Sequence, residues 1–261
     1  MKKSENPSWR LKSPADLEKL RAGGRRLAKI IAVLASAVRP GLTTAELDRL
    51  AREQIAAIGG RPAFLNYQPA RAGRPFPAAL CVSINDEVVH GIPNSRTLQP
   101  GYLVSLDLGL EYEQRFTDMA VTVPVGAVNP PAQKLLTVTA EALARGIKAA
   151  RVGRTLGDIG AAIQSFVEPQ GFGLVREFGG HGVGFRVHEE PEVSNCSHAG
   201  AGPKLVSGLV IAIEPMVTIG SPAIITAADG YTVKTKDNQL AAHFEHTIVI
   251  TDRGPEILTK V

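Results

Sequence analysis

Read for polarity alone, the chain falls into two rounds of the same order: amphipathic stretches of helical period, then short apolar runs of strand length. Ser13-Pro14-Ala15-Asp16 supplies an N-cap with proline at the first helical position, and the spacing predicts a helix from there to about Val38, ended by Pro40-Gly41. Thr43 or Thr44 with Glu46 opens a second helix, predicted to run to about Ile58 and to stop at Gly59-Gly60. An irregular segment rich in proline, glycine and arginine follows from Arg61 to Pro77. A connection that long in a compact domain is more often functional than idle. Strands are expected near Ala79–Ile84 and Glu87–His90, then over Val104–Leu110 and Phe116–Val123. The second round predicts helices from Pro131 to about Ala150 and from Thr155 to about Glu168. A glycine-rich histidine stretch, Gly179–Pro191, and two more strands, Leu209–Pro215 and His243–Ile250, complete it.

The two rounds also match in detail. Gly41-Leu42-Thr43-Thr44-Ala45-Glu46-Leu47 parallels Gly153-Arg154-Thr155-Leu156-Gly157-Asp158-Ile159, and Gly101 to Asp107 parallels Gly208 to Glu214. Asp118 then matches Glu245. A divergent duplication of a helix–helix–strands unit explains this order; chance similarity of short apolar runs is the competing reading. Nothing in the composition marks a linker between the halves, so residues 14–261 are expected to form one domain, preceded by a flexible tail over residues 1–13.

Each of four apolar strands carries a single acid: Asp107, Asp118, Glu214 and Glu245. Alternation turns Asp107 away from Leu106 and Leu108. If the halves pair about a pseudo-twofold axis, the four carboxylates converge on one small volume. Buried carboxylates without partners cost several kcal/mol each, so such a cluster persists only when cations neutralise it. Mostly oxygen donors with one imidazole suit two divalent ions of the Mn, Fe, Co or Zn kind. The glycines around His181 let the backbone turn sharply and present a bare imidazole, although a plain structural loop would read the same way.

Composition narrows the setting without choosing the chemistry. Hydrophobic residues make up 44% of the 261 residues, enough for a sizeable core, and Lys+Arg exceed Asp+Glu by 29 − 25 = 4. That mild basicity fits passing contact with RNA and is shared by many enzymes. Cys81 and Cys196 are too few for a disulfide framework, so a reducing cytosol is expected. No apolar leader opens the sequence, and the longest apolar run, near Ile30 to Val38, is far short of a membrane span.

Taken together, Val89-His90-Gly91-Ile92-Pro93, Asp107 and Asp118 eleven positions apart, Gly180-His181-Gly182-Val183-Gly184, His188-Glu189-Glu190-Pro191, Ile213-Glu214-Pro215-Met216, Thr232 to Asp237 and Glu245-His246-Thr247 resemble the type I methionine aminopeptidases, over about residues 14 to 252. The resemblance implies the α/β "pita-bread" fold: a curved, mixed but mainly antiparallel sheet backed by two helix pairs. It implies Asp107, Asp118, His181, Glu214 and Glu245 as ligands of two divalent ions, with Asp118 and Glu245 bridging. By the same resemblance Glu214 is the general base, His188 meets the scissile carbonyl and His90 the amide nitrogen or substrate backbone. Phe64, Tyr67, Phe76, Cys81, His90, Val187, His188 and Tyr231 are similar by position to the substrate subsite. The stretch Gln68 to Arg74 resembles an insertion at its mouth. His246, opposite in parity to Glu245, is expected to be a packed structural histidine, and His198 and His243 to be solvent-facing or structural.

Only 25 residues separate His188 from Glu214, so the compact bacterial form fits better than the type II enzymes or the proline-specific relatives. The implied activity is removal of the initiator methionine from nascent chains by a cytoplasmic monomer, with no DNA or membrane partner. Lys2, Lys3, Arg71 and Arg74 are expected to contact ribosomal RNA. A non-catalytic pita-bread protein that binds peptides or ribosomes is the alternative.

Overall fold

The helices begin where the capping chemistry says they must. In the computed structural model, which describes residues 9–69 and 73–261, α1 spans Pro14–Ala37, α2 Thr44–Ala57, α3 Pro130–Ala149 and α4 Leu156–Val167. Ser13, Thr43 and Thr155 each close a reciprocal capping box, with Asp16, Glu46 and Asp158 respectively. Each box satisfies two backbone donors that would otherwise be orphaned at a helix start, worth about 1 kcal/mol. Asp16 shows the strength of one such site. Burial alone would raise its pKa, but the Ser13 hydroxyl, the Arg115 guanidinium and the Ser13 N–H outweigh it and hold the carboxyl at about 2.

The strands form antiparallel ladders wherever they pair. In the first half, Leu103–Tyr112 pairs with both Leu80–Ile84 and Arg115–Pro124; in the second, Val210–Ile213 pairs with His246–Thr251. The duplication is visible in the connections as well. Thr43 bridges Thr97 and Thr155 bridges Lys204, so each second helix of a pair starts against the loop that leads into its acid-bearing strand. The apolar interior follows suit. Leu27, Ile31, Leu34, Leu47 and Ile55 of α1 and α2 pack on Leu80, Leu106 and Leu108, while Leu135, Ala142, Ile159 and Ile163 of α3 and α4 pack on Ile211, Ile213 and Ile248.

The two half-sheets meet along a polar seam. Asp118 N–H donates to Thr247 Oγ1 at 2.9 Å and that hydroxyl donates back to the Asp118 carbonyl at 2.8 Å. Glu245 N–H donates to the Ala120 carbonyl at 2.9 Å, and His243 N–H to Thr122 Oγ1 at 2.8 Å. The acid-bearing positions of both halves therefore lie at one junction.

Residues 1–8 of the expected tail lie outside the described residues. Residues 9–13 of that segment make specific contacts. Lys12 is buried and its Nζ pairs with Glu189, its backbone N–H donates to the Gly208 carbonyl at 3.0 Å, and Trp9 packs against the second core. A buried ammonium needs its carboxylate, which fixes this strap to the segment that follows His181. No helix among the described residues is long and apolar enough to cross a membrane.

Candidate metal centre and substrate cleft

Strand parity and the seam bring the predicted ligands together. Asp107, Asp118 and Glu245 each offer a carboxylate oxygen within 4.8 Å of the others, and His181, Glu214 and Glu245 form a second such group. Asp118 and Glu245 are almost fully buried, at 2% exposure each. His181 reaches the cluster from the strand Gly180–Gly182, which is pressed between two neighbours. A Cβ on Gly180 would lie 2.1 Å from the Ala212 carbonyl oxygen and one on Gly182 2.1 Å from that of Glu190, so only glycine fits on either side. The histidine stretch is thus more than a loose turn.

His181 Nδ1 lies 2.9 Å from the Gly182 carbonyl, which requires a proton on that nitrogen and leaves the Nε2 lone pair facing inward. Nε2 lies 3.5 Å from Glu214 Oε1. Burial, reinforced by neighbouring acids, raises the Asp118 and Glu245 pKa values well above the carboxylate range; burial, opposed by His243 and aided by Glu214, raises Asp107 to about 7. Glu245 Oε1 has no hydrogen-bond partner among the described residues. Buried carboxylates this close together, one of them with an oxygen that meets no donor among the described residues, are what a hard or borderline divalent cation would neutralise, and the donor set of carboxylates with one imidazole fits such an ion.

The remaining predicted residues fall beside this cluster. Phe64, Phe76, Cys81, Val187 and Tyr231 form one small apolar cluster separate from the two large cores, with Tyr67 packed against it. His188 stands between the two regions: its ring is 5.0 Å from that of Tyr67 and 4.4 Å from that of His181. Partial enclosure, and after it the His181 and His90 imidazoles, lowers its pKa; solvent reaches the ring at the cleft and moderates that shift. The direction keeps His188 neutral, a hydrogen-bond donor rather than a fixed charge. Glu189, paired with Lys12, accepts the backbone N–H groups of Phe185 and Arg186 at 3.1 Å each, which shapes the turn leading into His188.

His90 adopts φ +59, a left-handed conformation that a non-glycine residue takes only where its surroundings impose it. Burial lowers its pKa to about 4. Burial, then Asp107 and Asp118, pushes the Cys81 thiol up, which disfavours the reactive thiolate. Of the expected insertion at the mouth, residues 70–72 lie outside the described residues. Arg74 is tied to the far wall: its Nη2 donates to the Asp229 carbonyl at 3.2 Å and its own carbonyl accepts the Tyr231 hydroxyl. A surface groove of about 520 Å³ between α1 and residues 250–253 contains none of the predicted site residues and plays no part in this chemistry.

Two expectations about histidines divide. His246 packs as expected, its Nδ1 2.9 Å from Thr259 Oγ1, and His198 is exposed. His243, expected to be solvent-facing or structural, is the buried one of the two: it is 1% exposed and its Nε2 lies 3.2 Å from Glu214 Oε2, beside the acidic cluster. The overlooked signal is parity, since His243 stands two residues before Glu245 and shares its side of the chain.

This arrangement has known counterparts. Residues 18–252 match metallopeptidase family M24. A methionine aminopeptidase of Aquifex aeolicus is 46% identical over 254 residues, covering 96% of this chain and 98% of that protein. The crystal structure of methionine aminopeptidase from Thermotoga maritima superposes with a TM-score of 0.92 at 39% identity, covering 97% of this chain and 99% of that one. That of the Rickettsia prowazekii enzyme gives 0.92 at 36%, covering 96% and 99%. The chain belongs to metallopeptidase family M24, a family of divalent-metal hydrolases. Within it the chain falls among the type I methionine aminopeptidases and shares their pita-bread fold.

Proposed function

We propose that residues 14–261 act as one catalytic domain that removes an N-terminal methionine using two divalent ions. The convergence of Asp107, Asp118, His181, Glu214 and Glu245 within a few ångströms carries this reading. Asp118 and Glu245, central to the cluster, would be shared between the ions, with Asp107 holding one and His181 with Glu214 the other. Such ions, of the Mn, Fe, Co or Zn kind, supply Lewis acidity and bring the pKa of a bound water down to about 7.

The protein's own groups do the rest. The apolar cluster of Phe64, Tyr67, Phe76, Cys81, Val187 and Tyr231 receives the methionine side chain, and its aromatic walls exclude water. His90 meets the scissile amide nitrogen. Neutral His188 donates to the scissile carbonyl as negative charge develops on its oxygen. Water adds to the carbonyl carbon, Glu214 takes its proton, and the C–N bond breaks as Glu214 delivers that proton to the departing amine. Free methionine and a chain shortened by one residue result.

The test is methionine release from a Met-Ala-Ser peptide. Release should occur with Mn(II) or Co(II), stop with excess chelator, and return when the metal is restored; no release with any divalent metal would favour the non-catalytic binding protein. The cellular setting consistent with this chemistry is a cytoplasmic monomer acting on chains as they leave the ribosome. Lys2, Lys3 and Arg71 lie outside the described residues. If they contact ribosomal RNA, neutralising them should reduce cosedimentation with ribosomes, and unchanged cosedimentation would remove that contact from the account.

A further inference from the structure

One buried imidazole has no part in the chemistry above. His243 ends the strand Ala241–His243, where it pairs with Met216 two residues beyond Glu214. Its backbone is fixed by Thr122, whose hydroxyl accepts the His243 N–H and donates to the His243 carbonyl, both at 2.8 Å. The ring is 1% exposed, and neither ring nitrogen makes a well-directed hydrogen bond among the described residues. Yet Nε2 lies 3.2 Å from Glu214 Oε2, while His181 Nε2 lies 3.5 Å from Oε1. Glu214 is thus bracketed by two imidazoles, one against each oxygen. The two are not alike. His181 presents a lone pair, because its Nδ1 proton is committed to the Gly182 carbonyl. His243 has no such commitment at Nδ1, so its Nε2 is free to carry the proton that Oε2 can accept.

We propose that His243 is a positioning residue that holds Glu214 by its Oε2 edge and keeps Oε1 turned toward His181. A small rotation of the ring converts the 3.2 Å approach into a directed N–H···O bond. A buried imidazole with both nitrogens idle gives up its hydrogen bonds to water, whereas a donor aimed at a carboxylate recovers one of them. A carboxylate held by one oxygen offers the other in a fixed direction, and outer partners of this kind typically change metal affinity or activity by about 10–100-fold when removed. Asn195 Nδ2 supports the same residue from behind by donating to the Glu214 carbonyl at 3.0 Å. The proposal rests on the reading of Glu214 as a metal ligand.

The experiment compares His243→Leu with His243→Gln in the full-length protein, measuring Mn(II) affinity by calorimetry alongside kcat and KM. The Leu variant removes the donor, and its Mn(II) affinity should fall about 10–100-fold, with kcat reduced more than KM is changed. The Gln variant keeps an amide N–H of similar reach and should stay within about threefold of the parent. Should the Leu variant not fold, His243→Asn, whose amide is too short to reach Oε2, takes its place with the same expectation. Unchanged Mn(II) affinity in a folded Leu or Asn variant overturns the proposal. So does a Gln variant as impaired as the Leu variant, which would instead make His243 a metal ligand. If the parent protein itself binds no Mn(II), the reading of the metal centre fails rather than this refinement of it.

Discussion

Asp118→Asn should abolish metal uptake and methionine release together while leaving the fold intact. The amide keeps the shape of the side chain, and the strand is held through the Asp118 backbone by Thr247. What disappears is a negative charge whose oxygens lie within 4.8 Å of ligand atoms of Asp107 and Glu245 on one side and of His181 on the other. Loss of a mere outer partner costs about 10–100-fold in affinity, so loss of a bridging ligand should exceed 10²-fold. The metal-free variant has a further signature. Asp118 is buried beside Asp107 and Glu214, which together with burial raise its pKa well above normal. Replacing it with a neutral amide relieves that crowding, so the metal-free variant should melt no lower than the metal-free parent. Calorimetric metal titration and thermal melts in chelator check both halves, and unchanged metal content would contradict the ligand assignment.

His188→Ala should do the opposite: keep its metals and lose turnover. Its ring stands between those of Tyr67 and His181, with a ring nitrogen within 4.8 Å of an Asp118 carboxylate oxygen but outside the five proposed ligands, and the Lys12–Glu189 pair holds the turn that presents it. Removing one donor that stabilises a developing oxyanion costs about 10²–10³ in kcat, or about 2.7–4 kcal/mol. The fall should appear mainly in kcat, since the apolar cluster that receives methionine is untouched. Single-turnover rates with metal content measured on the same samples separate these effects. A variant with normal kcat would move carbonyl recognition to another group.

Much of this is legible in the sequence itself. Capping boxes are local chemistry, so Ser13, Thr43 and Thr155 located three helix starts within a residue. The four acids were legible because an isolated carboxylate in an apolar strand is too costly to be accidental. The finer roles and the pocket came from family resemblance rather than from periodicity. What stayed hidden depends on pairs distant in sequence. Lys12 and Glu189 are 177 residues apart, and no local rule announces that a residue in an apparent tail becomes a buried counter-ion. His243 was half legible. Its parity with Glu245 was readable, but its partner Glu214 lies on another strand and reaches it only through the Met216–His243 pairing.

The account stands or falls on cations among Asp107, Asp118, His181, Glu214 and Glu245. Anomalous diffraction from crystals grown with Mn(II), collected on both sides of the manganese edge, tests that most directly. Two peaks about 3.5–4 Å apart, enclosed by those five side chains, are the predicted result. Manganese bound elsewhere, or no peak between Asp118 and Glu245, would contradict it.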